Sequence, residues 1–385
     1  MNRILVVGPI YDMHTYRFIS NLKHQYKELN IDVLSYEKKN DNIACSEYCN
    51  KIFFPINSPF FNKTKNIKYI SLIAESIDFR RTLASIYKKE GKYDAVILLW
   101  ILPCNFLSTG IYKKISKKLI LVPLGSDVLR TTNTARRMLR HLYNQANYVI
   151  LSPINFKNIA QKIFKINEEK IIPLDFGSTV IDKLQYSEIT KYEAKKRLGL
   201  ENNFIITIGY NANKLHNHLA VIKQIEKIST KLPENTVLLF PMTYPSGEEF
   251  SKYIIELKSY LNRAGLQYMF FTEYLDDEQI VLLRKSADIF IHAQTTDAGC
   301  ATLQEYLLAG ATIINADWLY YKELQQFGPA YYTFSDLNSL SDVLLQAIEN
   351  PNKYLLSSQL KNTILEKGWI FQTKRWVSFL KSIQV

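Results

Sequence analysis

Four cysteines in 385 residues are too few for a disulfide framework, and Cys45 and Cys49, in a C-x3-C spacing, have no second pair with which to hold zinc. Cys104 and Cys300 stand alone. No apolar run approaches the roughly 18–20 residues that span a bilayer. The first residues do not read as a signal peptide: the apolar run Ile4–Ile10 contains Gly8 and Pro9, and Asp12 and His14 follow at once. The chain has no G-x-G-x-x-G and no G-x-x-x-x-G-K-[ST], so neither a dinucleotide fingerprint nor a P-loop ATPase is indicated. RNP motifs, a helix-turn-helix, zinc fingers, low-complexity linkers and short repeats are missing too. These absences imply a reduced, cytoplasmic protein.

What is present is an ordinary globular composition, 47% apolar, at a length that suits two domains. The +12 net charge is uneven. Residues 1–170 hold 27 Lys+Arg against 13 Asp+Glu, and residues 171–385 hold 21 against 23. The excess comes in runs: Lys63, Lys65 and Lys68; Arg80 and Arg81; Lys113, Lys114, Lys117 and Lys118; Arg130, Arg136, Arg137 and Arg140. Such asymmetry implies an anionic partner for the first half, an acidic membrane surface ahead of nucleic acid. A merely solvated lysine-rich surface is the alternative.

Short apolar runs alternate with helix-period segments, the pattern of parallel sheets flanked by helices. Strands are expected at Arg3–Val7, Ile31–Tyr36, Ala95–Trp100, Leu119–Val122, Tyr148–Ser152 and Lys170–Pro173, with helices at Thr15–Leu29 and Ile111–Lys118. The pattern restarts with strands at Phe204–Ile208, Thr236–Pro241, Tyr268–Phe271, Ile289–His292 and Thr312–Asn315. Helices are expected at His218–Leu232, Glu248–Ala264, Asp276–Ser286 and Ala301–Leu308, and the amphipathic Trp369–Ile383 closes the chain. The fold class is therefore α/β, with two doubly wound domains, 1–180 and 181–368. Residues 369–385 form a C-terminal helix expected to pack back on the first domain. Ligands of such sheets bind outside the carboxyl ends of the strands, in the strand-to-helix loops.

Four of those loops are polar. Gly8-Pro9-Ile10-Tyr11-Asp12-Met13-His14 offers a carboxylate and an imidazole for sugar binding or proton transfer, or else Asp12 caps the following helix. In Leu124-Gly125-Ser126-Asp127, the aspartate is a candidate base or hydroxyl ligand, or again a cap. The loop from Gly209 through Asn211, Asn213, Lys214 and His216 to His218 can donate hydrogen bonds to a diphosphate at a helix N-terminus. Its His216-x-His218 pair has no acidic or cysteine partner nearby in sequence, so no metal is expected. The stretch from Thr295 and Thr296 through Asp297, Gly299, Cys300 and Ala301 to Glu305 turns into a helix whose first N–H groups favour an anion. Glu305 lies in an apolar helix, so its carboxylate is either buried and paired or holds a ligand's hydroxyls.

These loops in this order resemble GT-B glycosyltransferases, over nearly the whole chain. Asp297-x7-Glu305 followed by EYLLAGATII is similar to the motif of the large retaining nucleotide-sugar family, which carries two glutamates at that spacing. Gly125-Ser126-Asp127, Ala287–Ile291 and Ile171-Ile172-Pro173 leading to Phe176-Gly177 are similar to that family as well. GYNANKLHNHLAVI and FPMTYPSGEEFSKYI resemble the bacterial transferases that add 4-acetamido-4,6-dideoxygalactose to a lipid-linked intermediate. The sequence departs from the retaining family at Tyr210, which occupies an arginine position, at Lys214, about one residue out of register, and at Asp297, which replaces the first glutamate.

The resemblance implies two Rossmann-like domains facing a cleft and a metal-independent transfer from a nucleoside diphosphate-sugar. The acceptor would be a glycan or polyprenyl-diphosphate-linked hydroxyl of a bacterial surface polysaccharide, made at the inner face of the plasma membrane. Glu305 would bind the ribose and Asp297 the donor sugar. Lys214 and the Gly299–Ala301 amides would meet the charge on the leaving diphosphate. Retention is favoured, with no obvious protein nucleophile; inversion would need Asp127 or Asp12 as base. Arg130, Arg136, Arg137 and Arg140 would face the acceptor and membrane. A GT-B phosphorylase or epimerase and a non-catalytic sugar- or nucleic-acid-binding protein are the rival readings.

Overall fold

The computed structural model describes residues 3–39, 45–56, 58–64 and 67–383; Lys65 lies outside them. By internal contacts the chain divides into two compact units, Met1–Gly177 with Trp369–Val385, and Ser178–Gly368.

The first unit is built on seven strands: β1 (Arg3–Gly8), β2 (Asn30–Ser35), β3 (Lys51–Phe53), β4 (Tyr93–Leu99), β5 (Ser116–Val122), β6 (Tyr148–Ile150) and β7 (Ile171–Ile172). Their order is β3-β2-β1-β4-β5-β6-β7, and every pair is parallel. Ile4–Val7 and Ala95–Leu99 are fully buried, as a parallel sheet covered on both faces requires. The C-terminal helix Trp369–Ser382 lies against the helix Met13–Gln25, with the Trp376 ring 4.9 Å from Phe18. Gly177 is obligatory beside it, because a Cβ there would come within 2.4 Å of the Trp369 ring.

The second unit has six strands: β8 (Phe204–Ile208), β9 (Thr236–Pro241), β10 (Gln267–Phe271), β11 (Ile289–His292), β12 (Thr312–Ala316) and β13 (Tyr332–Phe334). They run in the order β10-β9-β8-β11-β12-β13, again all parallel. In both sheets the strand order reverses beside the first strand, between β1 and β4 and between β8 and β11. Connections leave such a point in opposite directions and open a crevice at the carboxyl ends.

Several boundaries differ from the sequence reading. The basic helix stops at Ile115 rather than Lys118, because Ser116 bonds back to the Tyr112 carbonyl (2.8 Å) and pairs with Tyr93 as the first residue of β5. The helix from His218 ends at Glu226, with a separate 3-10 turn at Ser229–Lys231. The first helix ends at Gln25, where Tyr26 caps it. The edge strands β3 and β13 have three residues each, too short for an alternation to show.

Candidate functional site

In the first unit, Asp12 accepts the N–H of His14 (2.8 Å) as N-cap of the helix Met13–Gln25, while the His14 side chain is exposed near Phe176. Asp127 is 4% exposed. Its Oδ2 accepts the Ile101 N–H (2.8 Å), and its Oδ1 those of Leu124 (3.0 Å) and Gly125 (2.9 Å). Burial raises its pKa to about 6 against the opposing pull of these donors. Asp127 thus ties the loop after β4 to the loop after β5.

Arg136 donates to the Val128 and Leu129 carbonyls (3.0 and 3.1 Å), closing the short helix Ser126–Leu129, and Arg140 donates to the Ile163 carbonyl (3.1 Å). Arg130 and Arg137 remain exposed. A cavity of about 590 Å³ opens beside the N-terminal ends of β5, β6 and β7. It is basic, but Lys113, Lys117 and Lys170 in its wall already bond Gln145, Asp94 and the Asn144 carbonyl. It also lies at the opposite end of the strands from the polar loops.

The second unit differs. The loop after β8 and the loop after β11 are joined: Thr295 donates its N–H to the Leu215 carbonyl (2.8 Å), and Asn217 its side-chain amide to the Ala293 carbonyl (2.8 Å). Gly209 turns at φ +63°, and a Cβ there would lie 2.8 Å from His218 Nε2. Asn211 and Asn213 accept the N–H groups of Asn213 and Leu215 (2.9 and 3.0 Å), so their carbonyl oxygens shape the loop. Exposed Lys214 lies 5.3 Å above the Tyr253 ring and 3.8 Å from Glu249. His216 is buried, edge-on to Tyr210 at 4.4 Å between centroids. His218 shares a hydrogen with Tyr253 (3.3 Å), and burial lowers its pKa to about 3.

Asp297 stands at the centre. Its Oδ2 accepts the Tyr321 hydroxyl (2.8 Å) and the Cys300 N–H (2.6 Å); Tyr210 Oη lies 3.5 Å from its Oδ1 and donates to Gln294 Oε1 (2.8 Å). The expected anion cradle at Gly299, Cys300 and Ala301 is therefore corrected at one position: the Cys300 amide is already capped by Asp297. The Cys300 Sγ in turn accepts the Leu303 N–H (3.3 Å) as N-cap of the helix Ala301–Leu308. Thr296 is half-buried between Thr295 and Asp297.

Glu305 is 6% exposed, and both its oxygens have partners: Ser178 Oγ at 2.8 Å and Arg284 Nε at 3.0 Å. Burial alone would lower the Arg284 pKa, but Tyr306 and Glu305 hold it above its usual value. Of the two readings of Glu305, its surroundings are those of the buried pair. Sequence reasoning passed over His292, Gln294, Trp318 and Tyr321. For Trp318 and Tyr321 the signal was the aromatic run Trp318-Leu319-Tyr320-Tyr321, one residue after β12; His292 and Gln294 lie at the end of β11 and just after it.

No protein-family model matches the chain. It is 24% identical over 326 residues to an uncharacterized glycosyltransferase, MJ1069, of Methanocaldococcus jannaschii, covering 80% of this chain and 78% of that protein. Its structure is similar to HepE of Anabaena, solved with UDP and glucose (TM-score 0.73, 15% identity, 99% of this chain and 100% of that one). It is also similar to sucrose-phosphate synthase of Thermosynechococcus elongatus (TM-score 0.72, 13% identity, 100% and 99%). The fold is GT-B. Its two parallel sheets, of seven and six strands, are the two Rossmann-like halves of the GT-B architecture. Within the GT-B fold, the Asp297 cluster occupies the strand-order reversal of the second half, where loops after β8, β11 and β12 meet.

Proposed function

We propose that the protein is a glycosyltransferase whose unit Ser178–Gly368 holds a nucleoside diphosphate-sugar at the carboxyl ends of β8 and β11. The observation that carries this reading is the convergence of the two loops: Gly209–Asn217 and Ala293–Cys300 are hydrogen-bonded to each other around Tyr210, Gln294 and Asp297. The fold and the glycosyltransferase relative support it, as does the UDP bound by the structurally similar HepE.

In this reading the donor's diphosphate lies against Lys214 and the Gly299 and Ala301 amides, which meet the charge that grows as the glycosidic bond breaks. Asp297 faces the donor sugar, and Asn211, Asn213, His216 and Thr296 shape the pocket wall. Glu305 and Arg284 hold the helix Ala301–Leu308 in place from behind. We assign retention of configuration on the Asp297-x7-Glu305 pattern. The acceptor is a hydroxyl of a glycan or polyprenyl-diphosphate-linked glycan of a surface polysaccharide, bound through the basic first unit.

A membrane-facing role for that unit has its own support. Ile67, Tyr69, Ile70 and Ile73 are 42–65% exposed at the start of the helix Lys68–Glu90, and Lys63, earlier in the sequence, is exposed too. Apolar side chains flanked by lysine suit an interface with acidic lipid.

The test is thermal shift of the full chain with UDP, GDP, dTDP and CMP. One nucleotide should raise the midpoint in the wild type and lose that effect in Lys214→Ala; ligand at 100 times its Kd stabilises by about 2.7 kcal/mol. No shift with any of the four overturns the assignment.

A further inference from the structure

One tryptophan of the second unit is held open beside the Asp297 cluster. Trp369 and Trp376 are buried, whereas Trp318, in the turn after β12, is 41% exposed. A single exposed aromatic side chain is ordinary; one that is fixed in place is not. The Trp318 Nε1–H donates to the Gln294 carbonyl (2.9 Å), and Phe334 stands perpendicular to the indole, 5.4 Å between centroids at 87°. The turn that carries it is fixed as well. Fully buried Asn315 donates its side-chain amide to the Ala316 and Leu319 carbonyls, both at 2.8 Å, and its Oδ1 faces His292 Nδ1 at 2.9 Å. The Asp317 N–H donates to the Phe334 carbonyl and the Leu319 N–H to the Ala316 carbonyl, each at 3.0 Å. An indole pinned at its nitrogen edge, on a turn held from beneath, has already lost the side-chain freedom that stacking would otherwise cost.

What would stack there follows from position. Trp318 is bonded to the main chain of Gln294, whose Oε1 accepts the Tyr210 hydroxyl beside Asp297. Three residues further on, Tyr321 donates to Asp297 itself. In the strand order β9-β8-β11-β12, Lys214 follows β8, Asp297 follows β11 and Trp318 follows β12. A donor whose diphosphate meets Lys214 and whose sugar meets Asp297 thus has the indole on the far side of its sugar. One face of a pyranose is largely C–H groups, slightly positive at the hydrogens, and the face of an indole is negative and apolar, so the two are complementary. We infer that Trp318 is a specificity-determining residue of the donor site proposed above: its ring stacks on the C–H face of the transferred sugar while Asp297 accepts the sugar's hydroxyls. The inference rests on that donor reading and extends it to the class of donor, a nucleoside diphosphate carrying a pyranose with an open C–H face.

The test is calorimetric titration of the full chain, as wild type, Trp318→Ala and Trp318→Phe. The ligands are UDP, GDP and dTDP, each beside its conjugate: UDP-glucose, GDP-mannose and dTDP-glucose. The quantity read is the Kd of a conjugate divided by the Kd of its bare nucleotide. For the nucleotide that binds, Trp318→Ala should raise this ratio by about fivefold, with the Kd of the bare nucleotide within about twofold of wild type. Trp318→Phe keeps an aromatic face and should hold the ratio within about twofold. A ratio unchanged in Trp318→Ala overturns the inference. So does an equal weakening of nucleotide and conjugate, which would place the indole against the base or make it a support of the loop. Both results leave the donor site standing, whereas binding of no nucleotide by the wild type removes the donor site and this inference with it.

Discussion

Polar side chains at the strand ends meet different fates in the two units. In the first, Asp12 and Asp127 are held by main-chain N–H groups: one for Asp12, and three from two loops for Asp127. In the second, Asp297 accepts one main-chain N–H, that of Cys300, but also the Tyr321 hydroxyl on the same oxygen, with the Tyr210 hydroxyl near the other. A carboxylate that satisfies backbone donors fixes a loop, and moving it leaves buried N–H groups bare. Tyrosine hydroxyls can rotate to a ligand without disturbing the chain. The same residue type at the carboxyl end of a strand is therefore a strut in one unit and, on its side-chain-held face, an available group in the other.

Glu305 breaks this contrast most sharply, because it belongs to the available unit yet acts as a strut. Glu305→Ala leaves Arg284 charged and unpaired in the interior, which costs about 3–5 kcal/mol. Hydrogen exchange should show the loss in Ser178–Gly368, with Met1–Gly177 little changed. If Glu305 instead served only the ligand, stability would hold and nucleotide affinity alone would fall.

Asp297→Ala and Asp12→Ala set the two units against each other directly. Removing a preorganised polar group from a reacting centre lowers turnover roughly 10²–10³-fold, and that is the expected effect on kcat/KM at Asp297. At Asp12 the loss is a helix cap, about 1 kcal/mol of stability, with kcat/KM within about threefold of wild type on the same scale. Equal kinetic losses at both positions would erase the distinction.

Much of this was legible in the residues. Buried parallel strands are continuous apolar runs, so β1, β4, β8, β9 and β11 read directly from Arg3-Ile4-Leu5-Val6-Val7 or Thr236–Pro241. The polar loops read equally well, because Asn, Asp and Gly beside such a run have nowhere else to be. What did not show was which partner each polar atom takes. A buried Glu305 requires a partner, but nothing local says that it is Arg284, on a different helix. Nor does Gly125-Ser126-Asp127 announce that the Ile101 N–H will occupy the carboxylate. Tyr321 escaped because, after Asp317, the residues between β12 and it are apolar or aromatic (Trp318, Leu319, Tyr320), so the loop did not read as a polar one. Such pairings are set by sheet order, which places distant strands side by side.

Asp127 offers a test through pH. Its pKa rises from 3.8 to about 6 on folding, so between these values the folded state holds more protons than the unfolded one. Its contribution to stability therefore falls as pH rises from about 4 to 6 and stays lower above that, by up to about 3 kcal/mol. Hydrogen exchange of peptides containing Ile101 and Asp127, corrected for intrinsic rates, should lose protection over that range. In Asp127→Asn the profile should be flat; a slope that persists assigns the effect to another group.

Gly8 ends the first strand of the first unit and Gly209 follows the first strand of the second, and the pair gives the finest comparison. At Gly8 an added Cβ would meet the Leu99 Cβ at 3.2 Å, a crowding that a shift of a few tenths of an ångström relieves. At Gly209 the backbone has φ +63°, and the Cβ would lie 2.8 Å from His218 Nε2 and 3.2 Å from His216. Strain of a left-handed non-glycine residue costs about 1–3 kcal/mol, and both imidazoles are fully buried. Gly209→Ala should therefore lower stability by about that amount, and Gly8→Ala by less than about 1 kcal/mol. Because the Gly209 turn carries Asn211, Asn213 and Lys214, the same variant should also weaken the nucleotide-induced thermal shift, whereas Gly8→Ala should not. Equal stability losses, with the shift intact in both, would mean that the β8 turn is no more constrained than the β1 turn and that the donor loop is set elsewhere.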